Sequence, residues 1–569
     1  MDVVRGELSD AVTKLRKALR SPKAAFVAID EEFTGISFNN ASFQECNPLS
    51  DSASSRYAKM RRVAQSFGLM QLGIAVFEKD GDTYRSSVFN CYVFAAEVPG
   101  GRDVNLSTGA ISFLRKNSMD FGTWLTQGIP YVDAAGEARL LQEARDPPPR
   151  NTFELRDASS KVFADAELAK VEVLSNQTAV KQMDLQPHQA AVVRKYLHQE
   201  IERRFPFIAT EKGPLKHQIR CVLLTESEKE RRDQVSMQRR LDDVKEHKIG
   251  ARALFVELRD ACRDRKLPLV GHNCLYDLLF LLEHFEQPLP EAWADFKTLV
   301  STNFPIIVDT KAFAPRAGFP ERRTALDQCY EAVQASQGAQ VRFARGFGKY
   351  GPEESSSSDD SEDGEVNDEA RTTAFRAALD APRRDPRTSQ RFHEAGWDAY
   401  TTGVVYLRLL EKTTERCENR LHFMRSCYEI DLGLGDAVEP IHPVLKGAAY
   451  HVRVETNAQP DDIRTFVTTL GASDIYYVQR ASDDGREWCV DVAGELQEGT
   501  VKGSAVPWLC FEAERGALLT QEPASTGSWS KKAAKKLRTW LAKRLGMNPA
   551  SPSRKRPARA ASPAAKRQK

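Results

Sequence analysis

The stretch FVAIDEEFTGIS, residues 26–37, places three consecutive acids inside an apolar run patterned like a β-strand. Side chains alternate between the two faces of a strand, so Asp30 and Glu32 share one face and Glu31 takes the other. Two carboxylates on one half-buried face repel each other, and loss of water makes the repulsion worse. Two readings satisfy the pattern. Either the acids sit at a strand end and face water, or they surround a divalent cation that converts repulsion into coordination. The second reading requires further acids elsewhere in the chain.

Three later segments supply them. LPLVGHNCLYDLLFLLEHF (267–285) reads as a buried strand, a glycine-containing turn and a helix beginning near Asn273. That helix is apolar nearly all round, so it is buried and its Asp277 needs a partner. FPIIVDTKAFA (304–314) is another apolar strand, ending in Asp309. RFHEAGWDAYTTGVVYLRLL (391–410) opens a helix with His393 and carries Asp398 inside it. Each segment alone also suits an ordinary solvated or capping acid.

Composition limits the alternatives. A chain of 569 residues with 41% hydrophobic and 9% aromatic content implies several domains with real cores. The ten cysteines form no CxxC pair and no zinc-ligand spacing, and several lie in apolar runs, which suits reduced, buried thiols. No apolar run nears the roughly 20 residues of a membrane span, and the first residues lack the apolar core of a signal peptide. The expectation is a soluble intracellular protein without a membrane role.

Asp-x-Glu on a first strand, an Asp after a GHN turn and His-x4-Asp on a late helix together resemble the DEDD exonuclease constellation in its histidine form. The resemblance extends further, to the poly(A)-specific ribonuclease family, through AIDEEFTGIS, SRYAKMRRVAQSFGLMQLGIAVFE, SFLRKNSMDFGTWLTQGIPY, LVGHNCLYDLLFL, VDTK and HEAGWDAYTTG. These occur in the family's order and cover residues 20–410. The resemblance implies an α/β, RNase H-like nuclease fold, split by an inserted nucleic-acid-binding domain of the Arg-x3-His type. AVVRKYLHQEIERRFPF (191–207) supplies Arg194 and His198 for that signature, an i, i+4 pair on one helix face.

It also implies the chemistry. Asp30, Glu32, Asp277 and Asp398 would bind two Mg²⁺ ions, with Mn²⁺ able to substitute, and His393 would act as general base. Phe33, Ile36 and Asn273 match family positions near the terminal nucleotides, and Lys311 matches a lysine at a phosphate. The implied reaction is 3′-to-5′ removal of adenosines from a poly(A) or oligo(A) end, releasing 5′-AMP. A homodimer is implied too, and a surplus of apolar runs over residues 60–130 is compatible with one. The alternatives are a trimmer of non-coding RNA 3′ ends and a non-catalytic RNA-binding scaffold.

The expected organisation follows in order. Residues 1–165 and 246–435 form the two parts of the nuclease domain, and 166–245 the inserted domain. An acidic, serine-rich segment within 353–369 reads as a disordered insertion. Residues 440–520 read as strand, helix, strand, strand, which suits an RRM-like α+β domain. In the family a related module stacks the mRNA 5′ cap on an aromatic ring. Alternation in DIYYVQR puts Tyr476 and Tyr477 on opposite faces, and the family register makes Tyr477 the cap-binding candidate, with Trp488 read as core. Residues 521–569 form a basic tail. Its last 39 residues carry 14 Lys or Arg and no acid, and RKRPAR and AKRQK suit a nuclear localisation signal. The expectation is a protein of nucleus and cytoplasm. Upstream, SKKAAKKLRTWLAKRLG fits an amphipathic basic helix.

Overall fold

The computed structural model describes residues 1–38, 51–99, 101–148, 153–176, 180–320, 324–334, 338–351, 392–424, 426, 428–435, 439–440, 447–454, 458–481 and 484–493, with strand backbone at 499–500 and 509–512. The acidic insertion, the amphipathic basic stretch and the basic tail lie outside the described residues.

In chain order, the first part contributes β1 (Asp2–Val3), β2 (Ala24–Phe33), β3 (Leu69–Asp80), β4 (Thr83–Ala95) and β5 (Ile129–Tyr131). Then come β6 (Gln182–Asp184), β7 (Ile208–Lys212) and β8 (Ile219–Leu223), followed by β9 (Leu269–Gly271), β10 (Ile307–Asp309), β11 (Val341–Phe343), β12 (Arg420–His422) and β13 (Glu429–Asp431). The last unit holds β14 (Ala448–Arg453), β15 (Asp474–Arg480), β16 (Glu487–Ala493), β17 (Gly499–Thr500) and β18 (Leu509–Glu512).

The main sheet runs β1-β4-β3-β2-β9-β10-β12-β13, with β5 and β11 both pairing to β4. Strands β2, β3 and β4 are long antiparallel partners, whereas β9 lies parallel to both β2 and β10. Their apolar runs are buried on both faces: Leu72, Ile74, Val76, Val88, Phe89 and Val93 have no exposed surface. Most of the apolar surplus at 60–130 is consumed by the core, while Leu106, Phe113 and Leu125 remain exposed. Because β2, β9 and β10 are parallel neighbours, their carboxyl ends lie side by side. That is where an open α/β sheet places its ligands.

The inserted unit has its own sheet, β6-β8-β7, and its own core. That core includes Leu155, Ala164, Leu168, Val171, Val193 and Leu197. The helix Ala158–Ser175 therefore belongs wholly to the insert, and an expected boundary at 165/166 cuts through it. The far boundary shifts as well. The helix Glu226–Val244 bridges the two units, since Lys229 and Arg232 reach Phe207 and Thr210 of the insert, while Leu241 and Val244 pack against Leu140 and Ala144 of the helix Ala134–Arg145.

The last unit has strand order β15-β16-β14-β18-β17 and a helix, Pro460–Thr469, on one face. Ile463, Phe466 and Val467 of that helix pack with Tyr450, Val452, Trp488 and Val490 as a separate small core. No described helix is long and apolar enough to cross a membrane.

Candidate active site

Strand β2 carries the DEE sequence at its carboxyl end, with Asp30 opposite Gly73 and Glu32 opposite Gln71 of β3. Asp277 comes from the first turn of the helix Leu275–Phe285, which starts beyond the turn after β9. Asp398 lies in the first turn of the helix Ala395–Lys412, which packs across β2 and β3. Close approach of that helix needs small residues beneath it. A Cβ added at Gly73 would collide with the Ala395 carbonyl, and one added at Gly403 would collide with the Phe77 ring. The helix start is also pinned by hydrogen bonds. Gly396 N donates to Asn90 Oδ1 at 3.1 Å, Ala395 N to Gln71 Oε1 at 3.3 Å, and Asn90 Nδ2 to Glu394 Oε1 at 3.0 Å. Tyr350 and Lys349 also donate to Glu394.

These supports bring the acids together. One donor atom from each of Glu32, His393 and Asp398 lies within 4.8 Å of the others. Burial raises the Asp30 carboxyl well above its ordinary pKa, and Asp398, Asp277, Glu32 and Glu31 raise it further. Asp30 keeps part of its surface open, yet its carboxyl is enclosed by these other acids. Glu32 is raised by burial, then by Asp398 and Asp277. Asp277 is pushed up to about 7 and Asp398 to about 8, in both cases mainly by burial. Asp398 Oδ2 accepts the His393 amide at 2.9 Å, while its buried Oδ1 has no hydrogen-bond partner among the described residues. A buried carboxylate oxygen without a donor fits a bound cation.

His393 has φ +72°, so its backbone is in the left-handed region. Its ring meets Phe113 edge-on with centroids 4.5 Å apart. Burial lowers its pKa, which favours the neutral imidazole. Phe113 is 45% exposed and helps line a cavity of about 350 Å³ with Glu32, Phe33, Ile36, Ser107 and Leu114. Phe33 leans on Phe280 at 4.3 Å, so it is both cavity wall and core aromatic. Phe113, Asn90 and Gln71 are residues that sequence reasoning missed. Phe113 sits 280 positions from His393 in an unremarkable helix, and Asn90 and Gln71 are single polar residues inside apolar strands.

The remaining acids have other roles. Glu31 points away from the Asp30–Glu32 face as alternation requires, and it is buried with no hydrogen-bond partner among the described residues for either oxygen. Asp309 accepts three backbone amides, from Asn273 at 2.8 Å and from Lys311 and His422 at 2.9 Å. It ties the ends of β9, β10 and β12 together. Asn273, at φ +58°, and Lys311 stand at those strand ends and do not line the Phe113 cavity.

In the insert, Arg194 Nη1 donates to the carbonyls of His188 and Gln189 at 2.6 and 2.7 Å, and His198 Nδ1 pairs with Thr210 Oγ1 at 2.8 Å. The two residues share one cleft with Lys195 and Gln199. Tyr477, the cap-binding candidate, is only partly open. A bulge between Ile475 and Tyr477 takes Tyr476 out of the pairing, and Tyr477 packs half-buried against the large nuclease core. Tyr476 is the more exposed ring, at 36%. Trp488 is fully buried, as read.

Glu32, Asp398 and His393 cluster within reach of one cation, with Asp30 and Asp277 beside them, an arrangement of the kind a metal-dependent nuclease uses. The CAF1 family ribonuclease pattern matches residues 3–406, and the chain belongs to that family. Among curated relatives, the pre-piRNA 3′-exonuclease trimmer of Bombyx mori is 25% identical over 434 residues, covering 74% of this chain and 72% of the relative. The poly(A)-specific ribonuclease PARN of Xenopus laevis is 25% identical over 436 residues, covering 72% and 62%. The poly(A)-specific ribonuclease PNLDC1 of Mus musculus is 26% identical over 315 residues, covering 55% and 57%. The chain thus spans less than two thirds of the length of the two latter proteins. The Mg²⁺- and Mn²⁺-bound structure of S. pombe Pop2p aligns at TM-score 0.35 and 12% identity, covering 74% of this chain and 98% of that one, too distant a likeness to carry an argument.

Proposed function

We propose that this chain is a divalent-metal-dependent 3′-to-5′ exoribonuclease that shortens poly(A) or oligo(A) ends and releases 5′-AMP. The observation that supports it best is the convergence of Asp30, Glu32, Asp277 and Asp398 beside His393, with the carboxyls raised by burial and by one another. Glu32, Asp398 and Asp30 would hold one Mg²⁺ or Mn²⁺, and Asp277 would help hold a second; the oxygen-rich donor set suits hard cations. When bound, two such ions activate water and neutralise charge on the leaving oxygen of a phosphodiester.

The protein's own groups do the rest. His393, held neutral by burial, takes the proton of the attacking water at an unprotonated ring nitrogen. Phe113 keeps that ring edge-on and directed at the acids. Phe33, Ile36 and Phe113 offer apolar surface against which terminal bases stack without sequence readout. Asp309 holds the backbones of Asn273 and Lys311 at the strand ends, where Asn273 would meet the terminal nucleotides and Lys311 a phosphate. The cleft of Arg194, Lys195 and His198 lies in the insert and supplies cationic contact to a longer strand.

The test is degradation of 3′-labelled poly(A), poly(U), a 3′-oligoadenylated structured RNA and single-stranded DNA by the purified chain with Mg²⁺. Preference for adenosine ends supports the proposal. Equal rates on all four would contradict it, and preference for the structured RNA would favour trimming of non-coding RNA 3′ ends.

A further inference from the structure

The sheet of the last unit has two faces, and both are buried. Tyr450, Val452, Val478, Trp488, Val490 and Val492 turn toward the unit's own helix. The alternate residues Ala449, His451, Gln479, Cys489 and Asp491 are each 2% exposed or less. Of these, Ala449 and Cys489 belong to the large nuclease core, and Tyr477 and Ala481 pack against it. In a free-standing RRM this second face is the open one, on which bases stack. Here the nuclease body occupies it.

The joint has polar pins. Ser426 Oγ donates to Gln479 Oε1 at 2.8 Å and accepts the Tyr428 amide at 3.0 Å. Gln479 Nε2 reaches the Asp51 carbonyl at 3.5 Å. Asp51 pairs with Lys59 at 2.7 Å, and Ser52 caps the helix Ala53–Ser66 through Ser55 N. From the same helix the buried Arg56 donates to the Met424 carbonyl at 2.7 Å and lies over the Phe423 ring at 4.3 Å. The far end of this helix is held as well: the carbonyl of its C-cap Phe67 contacts His284 Nε2 at 2.9 Å, on the Asp277 helix.

We propose that the carboxy-terminal α+β unit is a docked brace of the nuclease body, whose sheet face is pinned to Ser426 and to Asp51 just ahead of the helix Ala53–Ser66, so steadying that helix and the Asp277 helix packed on it, and is not a reader of caps or RNA through that face. Gln479 and Ser426 are positioning residues in this scheme. Cap or RNA binding on that face would require the whole unit to detach.

Cys489 reports directly on the joint, because its thiol lies on the gripped face. In the full-length protein, N-ethylmaleimide labelling of Cys489, followed by mass spectrometry, is expected to be at least about 100-fold slower than in the urea-unfolded chain. Ala449→Arg forces a charge into the joint and is expected to expose Cys489, lower Tm and reduce kcat on uncapped oligo(A) more than it raises KM. Ser426→Ala, which removes one pin without adding bulk, is expected to speed labelling by roughly threefold to tenfold. Cys489 reacting in the wild type within about tenfold of the unfolded rate would overturn the proposal. So would labelling that m7GTP alters in the wild type. The labelling arms stand whether or not the chain is a deadenylase; only the kcat arm rests on that reading.

Discussion

The backbone N–H of His393 donates to Asp398 Oδ2 at 2.9 Å, so the histidine is positioned by the carboxylate it serves with. The left-handed turn at His393 carries its ring from the helix start to the face of Phe113. Asp398 and His393 are therefore set by one short segment, residues 393–398, whose histidine leans on the helix Thr108–Lys116, and the same helix lines the neighbouring cavity through Phe113.

Phe113→Ala should free the His393 ring and remove a wall of the cavity. The expected result is a fall in kcat/KM of about tenfold to a hundredfold, because base stacking and ring placement are lost together. Tm should hardly move, since Phe113 is 45% exposed. Steady-state kinetics on oligo(A) with a melting curve would check both; unchanged kinetics would remove Phe113 from the site.

Asn90→Ala should misplace the Asp398 helix without touching substrate. Asn90 holds Gly396 N, Glu394 and Asp2 at 3.1, 3.0 and 2.8 Å from within a fully buried strand position. Losing it should cost about 1–3 kcal/mol of stability. It should also weaken cation binding, measurable by calorimetric titration with Mn²⁺. Mn²⁺ affinity equal to wild type would show that Asn90 is only structural.

Metal-free stability should depend on pH in a defined direction. Asp277 and Asp398 move from an ordinary 3.8 to about 7 and about 8 in the folded protein. The folded state then binds protons more tightly than the unfolded one. Their contribution is fully present below about pH 4 and is lost as pH rises through about 7 to 8. His272 and His284, lowered by burial to about 3, act oppositely, and their contribution is lost as pH falls from 6.5 toward 3. Tm in EDTA should therefore fall from about pH 6.5 to about 8. Mg²⁺ or the substitution Asp398→Asn should flatten that decline. A decline unaffected by either would show that the acids do not form one cluster.

Glu31→Met should stabilise the chain. The wild-type carboxyl is buried, raised well above its ordinary range by burial and by Asp277, and has no hydrogen-bond partner among the described residues. Replacing it with an apolar side chain of similar length should add about 1–3 kcal/mol at neutral pH. Urea unfolding reads this directly, and a loss of stability would mean that Glu31 has a ligand.

The acids were legible because each one breaks an apolar pattern. Asp30 and Glu32 interrupt a strand, Asp277 interrupts a helix apolar nearly all round, and Asp398 follows a histidine at a helix start. Residues that support them were not legible. Asn90, Gln71 and Gly73 act across strands, and their effect depends on a helix more than 300 positions away. The insert boundary at 166 failed because Leu155 and Ala164 join a core whose other half lies beyond residue 190. The surroundings of Tyr477 were not legible either, for a local reason. The bulge at Tyr476 shifts the register by one, and alternation alone cannot show which sheet face another domain covers.

The most direct measurement is the shortening of a 5′-labelled A20 RNA on a denaturing gel, with the released nucleotide identified by chromatography, for wild type and Asp30→Asn in Mg²⁺ and in EDTA. The site described here predicts stepwise shortening with 5′-AMP as product in wild type plus Mg²⁺. It predicts none in EDTA, and a rate at least about 1,000-fold lower for Asp30→Asn. Stepwise release that persists in EDTA, or that Asp30→Asn retains, would contradict it.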